Sequence, residues 1–470
     1  MAHPDALAAL REVVGPAGVV DRDLWPAYLE DERGLYHGEA ACIVRPATTD
    51  EVSAVLGTCA RFGLAVVPQG GNTGYCGGAT PDDASNQIVL SLSRMNRVRA
   101  VDPVGFTMTV EAGVILANAH AAAEQHALLF PLSMGSEGSC QIGGNLATNA
   151  GGLAVLRYGN TRDLVLGIEA VLPDGTVIDS LSGLRKDNTG YDLKNLLIGS
   201  EGTLGVITAA VLKLFPQPVS RQTAFLALAD APAMCRLLAD VRRTSGDTVT
   251  SFEYIARPAL DLVLEHIDGA ADPLDAAYDH YVLLELSSGQ SEDDLRSVCE
   301  TILMRGMENG DVLDGVVAES GRQRDRLWHL RESIPEAEKH AGRSVKHDIS
   351  VTVARMADYL AAAPAALAAV TPARTSVYGH VGDGNLHYNV LAPEGVAPET
   401  FRAAHGGAIS DAVHDLAVSM GGSFSAEHGI GKLKKPALAR YKSPAELAAM
   451  RAIKKALDPD GRMNPGKLFD

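Results

Sequence analysis

The sequence predicts an α+β protein with at least two domains. Its 470 residues exceed the roughly 250–300 residues at which a single hydrophobic core stops growing. Short strands separated by glycine-rich runs fill the first half, whereas amphipathic strands and helices alternate beyond Pro216. That alternation, with short connections, predicts an antiparallel sheet covered by helices in the second half.

A strand–helix–strand pattern precedes the first glycine-rich run. Residues 41–46 are predicted as a strand, Thr49 lies at a helix start with Thr or Asp as the N-cap, and residues 64–68 form the second strand. The run from Pro68 to Gly78 then holds five glycines in eleven residues. Such a loop is either a mobile surface loop or a phosphate cradle, in which exposed backbone N–H groups bind a pyrophosphate. Its position directly after an apolar strand favours the cradle.

The usual nucleotide fingerprints are absent from this loop, which has neither GxGxxG opening a helix nor GxxxxGK[ST], so NAD and ATP are disfavoured. Two further glycine-rich runs follow at 136–152 and 196–208. The first of them is too long for a single turn and indicates backbone wrapped around a flat, extended ligand. Between the two runs, residues 165–178 are predicted as a β-hairpin.

The second half contains predicted strands at 223–229, 281–286 and 312–318, with helices at 231–243 and 292–306. In the alanine-rich run 361–369, Pro364 is expected to end or restart any helix. The stretch after Leu457 has no helical period.

Two stretches combine histidines with a carboxylate, Tyr378–Asn389 and Ser425–Gly431. Imidazole and carboxylate bind zinc and similar ions, and a catalytic site keeps one position open after three protein ligands. His380, His387 and Glu427 supply such a set, and the glycine-rich turn after His380 lets both histidines face one centre. The alternative is histidines that are packed or lie on the surface.

Charge and cysteine usage exclude several classes. The formal net charge of −17 argues against nucleic acid or an anionic membrane surface as a partner. The six cysteines have no CxxC spacing, so neither a disulfide framework nor a thiolate zinc site is predicted. With no basic-apolar leader and no run of eighteen apolar residues, we expect a cytoplasmic protein without a transmembrane segment.

The glycine-rich motifs resemble a known family. Pro-Gln-Gly-Gly-Asn-Thr-Gly at 68–74, Gly-Ser-Cys-Gln-Ile-Gly-Gly-Asn at 138–145 and Gly-Ser-Glu-Gly-Thr-Leu-Gly-Val-Ile at 199–207 are similar to the FAD-binding domain of the vanillyl-alcohol-oxidase/PCMH superfamily. The histidine motifs narrow the resemblance to its FAD-dependent D-2-hydroxyacid dehydrogenases, which include D-2-hydroxyglutarate and D-lactate dehydrogenases. The resemblance runs from about Ala41 to the C-terminus.

The resemblance implies a PCMH-type two-part FAD-binding domain at 1–216, an antiparallel-sheet substrate or cap domain at 217–425, and a C-terminal segment at 426–470 that packs on the FAD domain and returns to the flavin. Some members tether FAD to a histidine in the first loop, where this chain has Asn72, so we expect non-covalent FAD. The residues assigned to FAD are Pro68, Gly70, Gly71, Asn72, Thr73, Gly74, Ser133, Gly138, Ser139, Gly143, Gly144, Asn145, Thr148, Asn149, Gly151, Glu201, Gly202, Ile207 and Asn464.

By resemblance, His380, His387 and Glu427 are the metal ligands and His428 is the general base. The remaining matches are substrate-binding residues, namely Arg331, Lys346 and Asn389. The ligand set suits Zn, and also Mn, Fe or Co. The hydroxyglutarate enzymes are expected to have a threonine at the position of Pro335. Proline has no hydroxyl, and this departure weakens the assignment of the substrate to a five-carbon diacid.

The sequence therefore predicts FAD- and metal-dependent oxidation of a D-2-hydroxy acid, foremost D-2-hydroxyglutarate, to the 2-oxo acid. An electron-transfer flavoprotein, a quinone or a cytochrome would accept the electrons, and a homodimer is compatible with the sequence. D-Lactate or a broader set of D-2-hydroxy acids is the nearest alternative. A metallohydrolase and a flavin-binding module with a structural ion are alternatives from other classes.

Overall fold

The computed structural model describes residues 4–82, 86–289 and 291–469. The chain divides into two compact units. Unit 1 consists of Met1–Gly152, Gly159–Gln217 and Glu427–Asp470, and unit 2 of Leu153–Tyr158 and Pro218–Ala426. The short segment 153–158 thus belongs to unit 2, although residues of unit 1 precede and follow it.

The strands, numbered in chain order, are β1 (Cys42–Val44), β2 (Ala65–Gln69), β3 (Gln87–Ser91), β4 (Val98–Asp102), β5 (Thr107–Glu111), β6 (Leu128–Leu129), β7 (Val165–Val171), β8 (Val177–Ser180), β9 (Val206–Lys213), β10 (Phe215–Pro216), β11 (Ser220–Leu228), β12 (Val249–Ala256), β13 (His280–Ser288), β14 (Val312–Val317), β15 (Asp348–Ser350), β16 (Arg374–His380) and β17 (Asn385–Leu391). The helices are α1 (Pro4–Val14), α2 (Pro26–Leu29), α3 (Thr49–Phe62), α4 (Leu116–Glu124), α5 (Ile142–Thr148), α6 (Val155–Tyr158), α7 (Leu193–Leu197), α8 (Ala231–Ser245), α9 (Arg257–His266), α10 (Glu292–Glu308), α11 (Gly321–Glu332), α12 (Ile334–His340), α13 (Met356–Ala368), α14 (Pro398–Ser419), α15 (Lys435–Tyr441) and α16 (Pro444–Leu457).

Unit 1 contains a parallel three-stranded sheet of order β1-β3-β2. The predicted strand–helix–strand unit is confirmed as β1, α3 and β2. The Thr48 side chain caps α3 by accepting a hydrogen bond from the Glu51 N–H, and Gly63 ends the helix in a left-handed conformation. Val52, Val55 and Leu56 of α3 are buried in the core beside this sheet.

A second sheet of unit 1, of order β4-β5-β9-β7-β8, is antiparallel throughout. The predicted hairpin is confirmed as β7 and β8, whose last pair joins Val171 to Val177. Gly175 occupies the turn with φ 91°, a backbone conformation that favours glycine.

Unit 2 is built on a seven-stranded sheet of order β14-β11-β13-β12-β16-β17-β15, in which every neighbouring pair is antiparallel. The antiparallel sheet with helices, predicted from the alternation beyond Pro216, is confirmed. Residues from α8, α10, α13 and α14 share one apolar cluster with residues of this sheet.

The prediction for Pro364 was wrong, because α13 runs through it from Met356 to Ala368. A proline inside a helix removes one backbone hydrogen bond and costs about 3 kcal/mol. The buried face of the helix offsets that cost: Tyr359, Ala363 and Leu367 lie in the core, and the Tyr359 hydroxyl donates to the Val413 carbonyl. Tertiary packing therefore outweighs the local effect of proline here.

Across the described residues, none of the helices combines the length and the apolar character that a membrane crossing requires.

Candidate active site

The first glycine loop of unit 1 lies against the second glycine-rich run. A Cβ added to Gly71 would come within 2.2 Å of the Ser139 carbonyl oxygen, and one added to Gly70 would lie 3.3 Å from the Gly144 nitrogen. The backbone contact at Gly71 is too close for any side chain, and the contact at Gly70 leaves little room for one. The two motifs, separate in sequence, form one backbone surface.

Two other glycines of the second run, Gly143 and Gly152, are also closely packed. A Cβ on Gly143 would meet the Ala112 side chain at 2.7 Å, and one on Gly152 would meet the Ser133 carbonyl at 2.1 Å. Asn149, with φ 51°, accepts a hydrogen bond from the Arg162 N–H through Oδ1. These contacts fix the backbone from 143 to 152.

The third glycine-rich run reaches the first loop through Gly202, whose added Cβ would lie 3.1 Å from Pro68.

Other predicted FAD residues differ in their surroundings. In the second run, Asn145 donates to the Cys140 thiol at 3.7 Å, and Thr148 donates to the Gly144 carbonyl. Ile207 is buried in β9. Two of the remaining predicted FAD residues, Gly74 and Gly138, have open space where a Cβ would lie.

Asn72 is held by its side chain. Its amide nitrogen donates to the Ala27 carbonyl at 3.2 Å and to the Glu30 carbonyl at 2.7 Å, and its backbone is left-handed with φ 56°. The residue that stands at the tether position of other members therefore fastens the glycine loop to the region of α2.

Glu201 anchors the loop that carries the predicted base. Its two carboxylate oxygens accept hydrogen bonds from the Ile430 N–H at 2.8 Å and the Gly431 N–H at 2.7 Å. Burial raises the pKa of this carboxyl, and the two N–H donors act in the opposite direction. Predicted as an FAD residue, Glu201 has its carboxylate committed to the backbone of 430–431 in this structure.

His428 lies beside the first glycine loop. Its ring packs edge-on against Tyr75, with 5.0 Å between the ring centroids, and its Nε2 lies 3.8 Å from a Glu427 oxygen. The same loop holds the neighbouring backbone, because the Cys76 carbonyl accepts from the Lys432 N–H at 2.8 Å. Within unit 1, the predicted base and the predicted pyrophosphate loop are thus brought together.

Asn464 closes this part of the site and provides a test of whether the residues fit FAD. Its amide nitrogen donates to the carbonyls of Gly78 and Glu201 at 2.9 and 2.7 Å. Its Oδ1 is buried and has no hydrogen-bond partner in the described part of the chain. A buried acceptor without a donor is unfavourable unless a bound group supplies one. An orphaned oxygen beside a cradle of close backbone contacts fits a large polar cofactor such as FAD.

One face of the unit 2 sheet carries the two predicted metal-ligating histidines, His380 and His387. The register places Glu253 opposite His380, and His387 opposite both Tyr378 and Asp348. Since side chains alternate along a strand, these five residues share a face. The rings of His380 and His387 lie 5.6 Å apart, and Gly384, with φ 76°, forms the turn between their strands.

Glu253 binds two of the predicted site residues. One carboxylate oxygen lies 2.8 Å from His380 Nδ1, and the other accepts from Arg331 Nε at 3.0 Å and Nη2 at 2.8 Å. Burial opposes ionisation of Glu253, yet His380 and Arg331 hold its pKa below the usual range. The Arg331 guanidinium also lies over the Tyr378 ring at 4.6 Å.

Glu338 is a second buried carboxylate that binds predicted substrate residues, in this case Lys346 and Asn389. Its carboxylate accepts from Lys346 Nζ at 2.7 Å, from Asn389 Nδ2 at 2.8 Å and from Ser344 Oγ at 3.2 Å. Asn389 in turn accepts from the His347 N–H. Both cations expected to bind substrate are therefore paired with a buried carboxylate.

Asp348 is a further candidate ligand that the sequence did not single out. It is fully buried, and one of its oxygens and a ring nitrogen of His387 lie within 4.8 Å of each other. Asn385 Nδ2 and the Ala426 N–H donate to its two oxygens at 2.9 and 3.1 Å. Ala426 directly precedes the predicted ligand Glu427 in the chain.

Glu253, Glu338 and Asp348 could not be identified as site residues from the sequence. Glu253 is a lone acidic residue in an apolar strand, whereas Glu338 and Asp348 lie among other charged residues, so nothing in their local sequence marks them as site residues. Their roles depend on strand register and on a helix packed over the sheet, neither of which is encoded within a few neighbouring residues.

Comparisons with known proteins match almost the whole chain. A family model described as FAD binding domain matches residues 40–180, and one described as FAD linked oxidases, C-terminal domain, matches residues 217–468. The chain is 39% identical to the mitochondrial D-2-hydroxyglutarate dehydrogenase of Arabidopsis thaliana, covering 98% of this chain and 80% of the relative. It is 40% identical to the mitochondrial enzyme of that name from Bos taurus (99% and 83%) and to the D-2-hydroxyglutarate dehydrogenase of Xanthomonas citri pv. viticola (91% and 89%).

Solved structures share the fold at low identity. A p-cresol methylhydroxylase with substrate bound superposes with a TM-score of 0.76 at 17% identity, covering 99% of this chain and 96% of that one. An alkyldihydroxyacetonephosphate synthase gives 0.74 at 16% identity, covering 99% and 85%. These likenesses confirm the α+β, PCMH-type architecture.

The prediction of a cytoplasmic protein is contradicted by these relatives, since the enzymes from Arabidopsis thaliana and Bos taurus are both named mitochondrial. Net charge, cysteine spacing and the first residues of the chain report on folding and solubility, and none of them identifies a compartment.

The resemblance inferred from the three glycine motifs is confirmed by family models that together span most of the chain and by relatives near 40% identity. The chain belongs to the family of FAD-linked oxidases.

Proposed function

We propose that this protein is an FAD-dependent dehydrogenase that oxidises D-2-hydroxyglutarate to 2-oxoglutarate. The observation that carries the proposal is the face of the unit 2 sheet, where two histidines lie among two cations that are each held by a buried carboxylate. A dicarboxylate with a hydroxyl beside one carboxyl group matches that donor set. The names of the relatives near 40% identity support the same substrate.

We assign the metal ligands to His380, His387 and Glu427, with Asp348 as a further oxygen donor beside His387. His380 meets the usual requirement for a ligating imidazole, because its Nδ1 faces a carboxylate and leaves Nε2 for the ion. A divalent ion, when bound, supplies a Lewis acid that lowers the pKa of the substrate hydroxyl. Two imidazoles with carboxylate oxygens suit Zn first, and Mn, Fe and Co as well.

We assign the general base to His428, which accepts the proton of the substrate hydroxyl. Tyr75 packs against its ring, and Glu201 fixes the backbone two residues further on, so the imidazole is held by residues of the FAD-binding unit itself. FAD, when bound, supplies the acceptor for the hydride from C2.

We propose that Arg331 and Lys346 bind the substrate carboxylates. Asn389 holds the segment that carries Lys346. Pro335 lies in the first turn of α12, three residues before Glu338, and offers no hydroxyl to the far end of a five-carbon diacid. This departure is the observation that favours the second candidate, D-lactate or a broader range of D-2-hydroxy acids.

We infer that FAD is not covalently attached. Asn72 is an amide engaged with two backbone carbonyls and provides no nucleophile for the flavin. Electrons leave through an acceptor outside the chain, which we propose to be an electron-transfer flavoprotein, a quinone or a cytochrome.

A substrate panel tests the function. Purified protein is assayed with D- and L-2-hydroxyglutarate and D- and L-lactate, with an artificial acceptor dye, before and after treatment with a chelator. We expect activity on the D-acids, highest with D-2-hydroxyglutarate, and its loss on chelation. Preference for L-acids, indifference to the chelator, or protein that takes up no FAD would contradict the proposal.

A further inference from the structure

Glu253 touches two residues that the proposed function uses for different tasks. Its Oε1 lies 2.8 Å from Nδ1 of His380, a proposed metal ligand, and its Oε2 accepts two hydrogen bonds from Arg331, a proposed substrate-binding residue. The side chain is only 1% exposed. A buried carboxylate with both oxygens committed to functional side chains is not explained by packing alone.

We propose that Glu253 is a positioning residue that couples metal binding to substrate binding, by orienting the His380 imidazole with one oxygen and the Arg331 guanidinium with the other. The proposal rests on the proposed function, because it takes from it the roles of His380 and Arg331. In this assignment Glu253 acts through His380 and Arg331, which are the residues that its carboxylate contacts.

The hydrogen bond between Glu253 and His380 selects one tautomer of the imidazole. A carboxylate only accepts hydrogen bonds, so in the neutral imidazole the nitrogen facing Glu253 carries the proton and Nε2 keeps its lone pair. Nε2 is then the nitrogen that can bind a metal ion. Outer partners of this kind typically change metal affinity 10- to 100-fold when they are removed.

The bond to Arg331 fixes the plane of the guanidinium. Two of its nitrogens contact Glu253, and its face lies 4.6 Å above the centre of the Tyr378 ring. These contacts hold the planar group in a single orientation, which a flexible cation such as lysine would not keep. Glu253 therefore sets in advance the direction from which a substrate carboxylate is bound.

The sheet explains why one residue reaches both partners. Glu253 lies opposite His380 in the register of β12 and β16, whereas Arg331 is the penultimate residue of α11 and is itself 6% exposed. The carboxylate thus joins a strand residue to a helix residue, and a displacement of either partner is transmitted to the other.

The test uses three purified, flavin-loaded variants together with the wild-type protein. In Glu253→Gln, one of the two oxygens is replaced by an NH₂ group, which cannot accept from His380 or Arg331. Glu338→Gln alters the carboxylate that holds Lys346 and Asn389. Glu285→Gln alters a half-buried glutamate on the same sheet face, which accepts from Thr223 and Trp328, neither of which is a proposed site residue.

Two quantities are measured for each protein: the affinity for Zn²⁺, from competition with a chelating dye and without substrate, and KM for D-2-hydroxyglutarate. We expect Glu253→Gln to lose about 10- to 100-fold in Zn²⁺ affinity and to show a raised KM as well. Glu338→Gln should raise KM and keep the wild-type Zn²⁺ affinity, and Glu285→Gln should change neither quantity.

Wild-type Zn²⁺ affinity in Glu253→Gln, or an equal loss in Glu285→Gln, would overturn the inference. If the Gln variant does not fold, Glu253→Asp, which keeps the charge on a shorter side chain, is measured in the same way, and unchanged affinity there counts equally against it. The wild-type protein separates the two hypotheses: failure to oxidise D-2-hydroxyglutarate sinks the proposed function, whereas the Zn²⁺ titration of the variants is read without any turnover.

Discussion

The predicted site residues of the two units differ in kind. In unit 1 the site is mostly backbone: glycines at 70, 71, 143 and 152 let main-chain segments approach closely, and Glu201 captures two backbone N–H groups. In unit 2 it is made of charged side chains, in which Glu253 and Glu338 hold His380, Arg331, Lys346 and Asn389 in place.

The difference is the one expected if unit 1 binds FAD and unit 2 binds the substrate and an ion, as we propose. A long cofactor with a pyrophosphate is recognised along its length by N–H groups and close backbone contact. A small hydroxy acid and an ion need a few charges at fixed angles, and buried carboxylates provide the rigidity. Unit 1 should therefore be sensitive to added side chains, and unit 2 to altered charges.

His428→Ala is expected to have the largest effect. It also tests the contrast between the units, because His428, the proposed general base, is a side chain of unit 1. Deleting a general base lowers kcat by about 10²–10⁴-fold. Flavin content should stay at the wild-type level, since Glu201 still anchors the loop through its backbone. Stopped-flow reduction of the flavin measures the step directly, and unchanged reduction would remove His428 from its role.

Gly71→Ala sharpens the comparison. The added Cβ would meet the Ser139 carbonyl at 2.2 Å, so the two glycine runs must separate, at a cost of about 1–3 kcal/mol. We expect weaker FAD binding and a lower Tm.

The matched control for Gly71→Ala is Gly57→Ala, in the interior of α3 with open space at its Cβ. Alanine is favoured over glycine in helices by about 1 kcal/mol, so this variant should be slightly more stable and bind FAD normally. Equal behaviour of the two variants would mean that close backbone contact is not what matters at Gly71.

Asn72→Ala is expected to lower the free energy of unfolding by less, about 1–2 kcal/mol. Two hydrogen bonds to backbone carbonyls are lost, and alanine tolerates the backbone φ of 56° less well than asparagine does. Asn72→Gly should recover the part that is due to backbone strain. Chemical denaturation of the three proteins measures the difference. If Ala and Gly variants are equally stable, strain plays no part.

The effect of Lys467→Met is read as a pH dependence of stability. Burial lowers the pKa of Lys467 to about 7 from 10.5. Above pH 7 the unfolded chain therefore binds more protons than the folded protein, and the free energy of unfolding rises with pH until about 10.

The contribution of Lys467 is at most about 1.4 kcal/mol for each pH unit. In Lys467→Met this part of the slope should be missing, which denaturation at pH 7, 8 and 9 would reveal. Identical slopes in the two proteins would show that Lys467 remains charged when buried.

The contrast between the units also explains what the sequence alone made predictable. The FAD-binding architecture was predictable because close backbone approach leaves glycines in short, local runs such as 68–74. His380 and His387 stood out because a glycine turn joins them directly. The helix through Pro364 was not predictable, because its stability comes from Tyr359, Ala363 and Leu367 packing on distant segments.

Glu253 and Glu338 remained hidden for a related reason. Glu253 lies 127 residues before His380, so their contact depends on which strands are neighbours in the sheet and in which register they pair. A single acidic residue in an apolar strand does not encode that information. Charged positions of this kind are identified only after the sheet order is known.

The link between Glu201 and the C-terminal segment has a consequence for biosynthesis. Ile430 and Gly431, which satisfy its buried carboxylate, follow it by 229 and 230 residues, and Val66 of β2 is bridged by Met463. At 5–20 residues per second, a ribosome takes roughly 10–45 s to add the residues between Glu201 and Ile430. The FAD-binding unit is therefore completed only after Ile430 and Gly431 have been synthesised, and until then the nascent protein carries a Glu201 carboxylate whose hydrogen-bond donors do not yet exist.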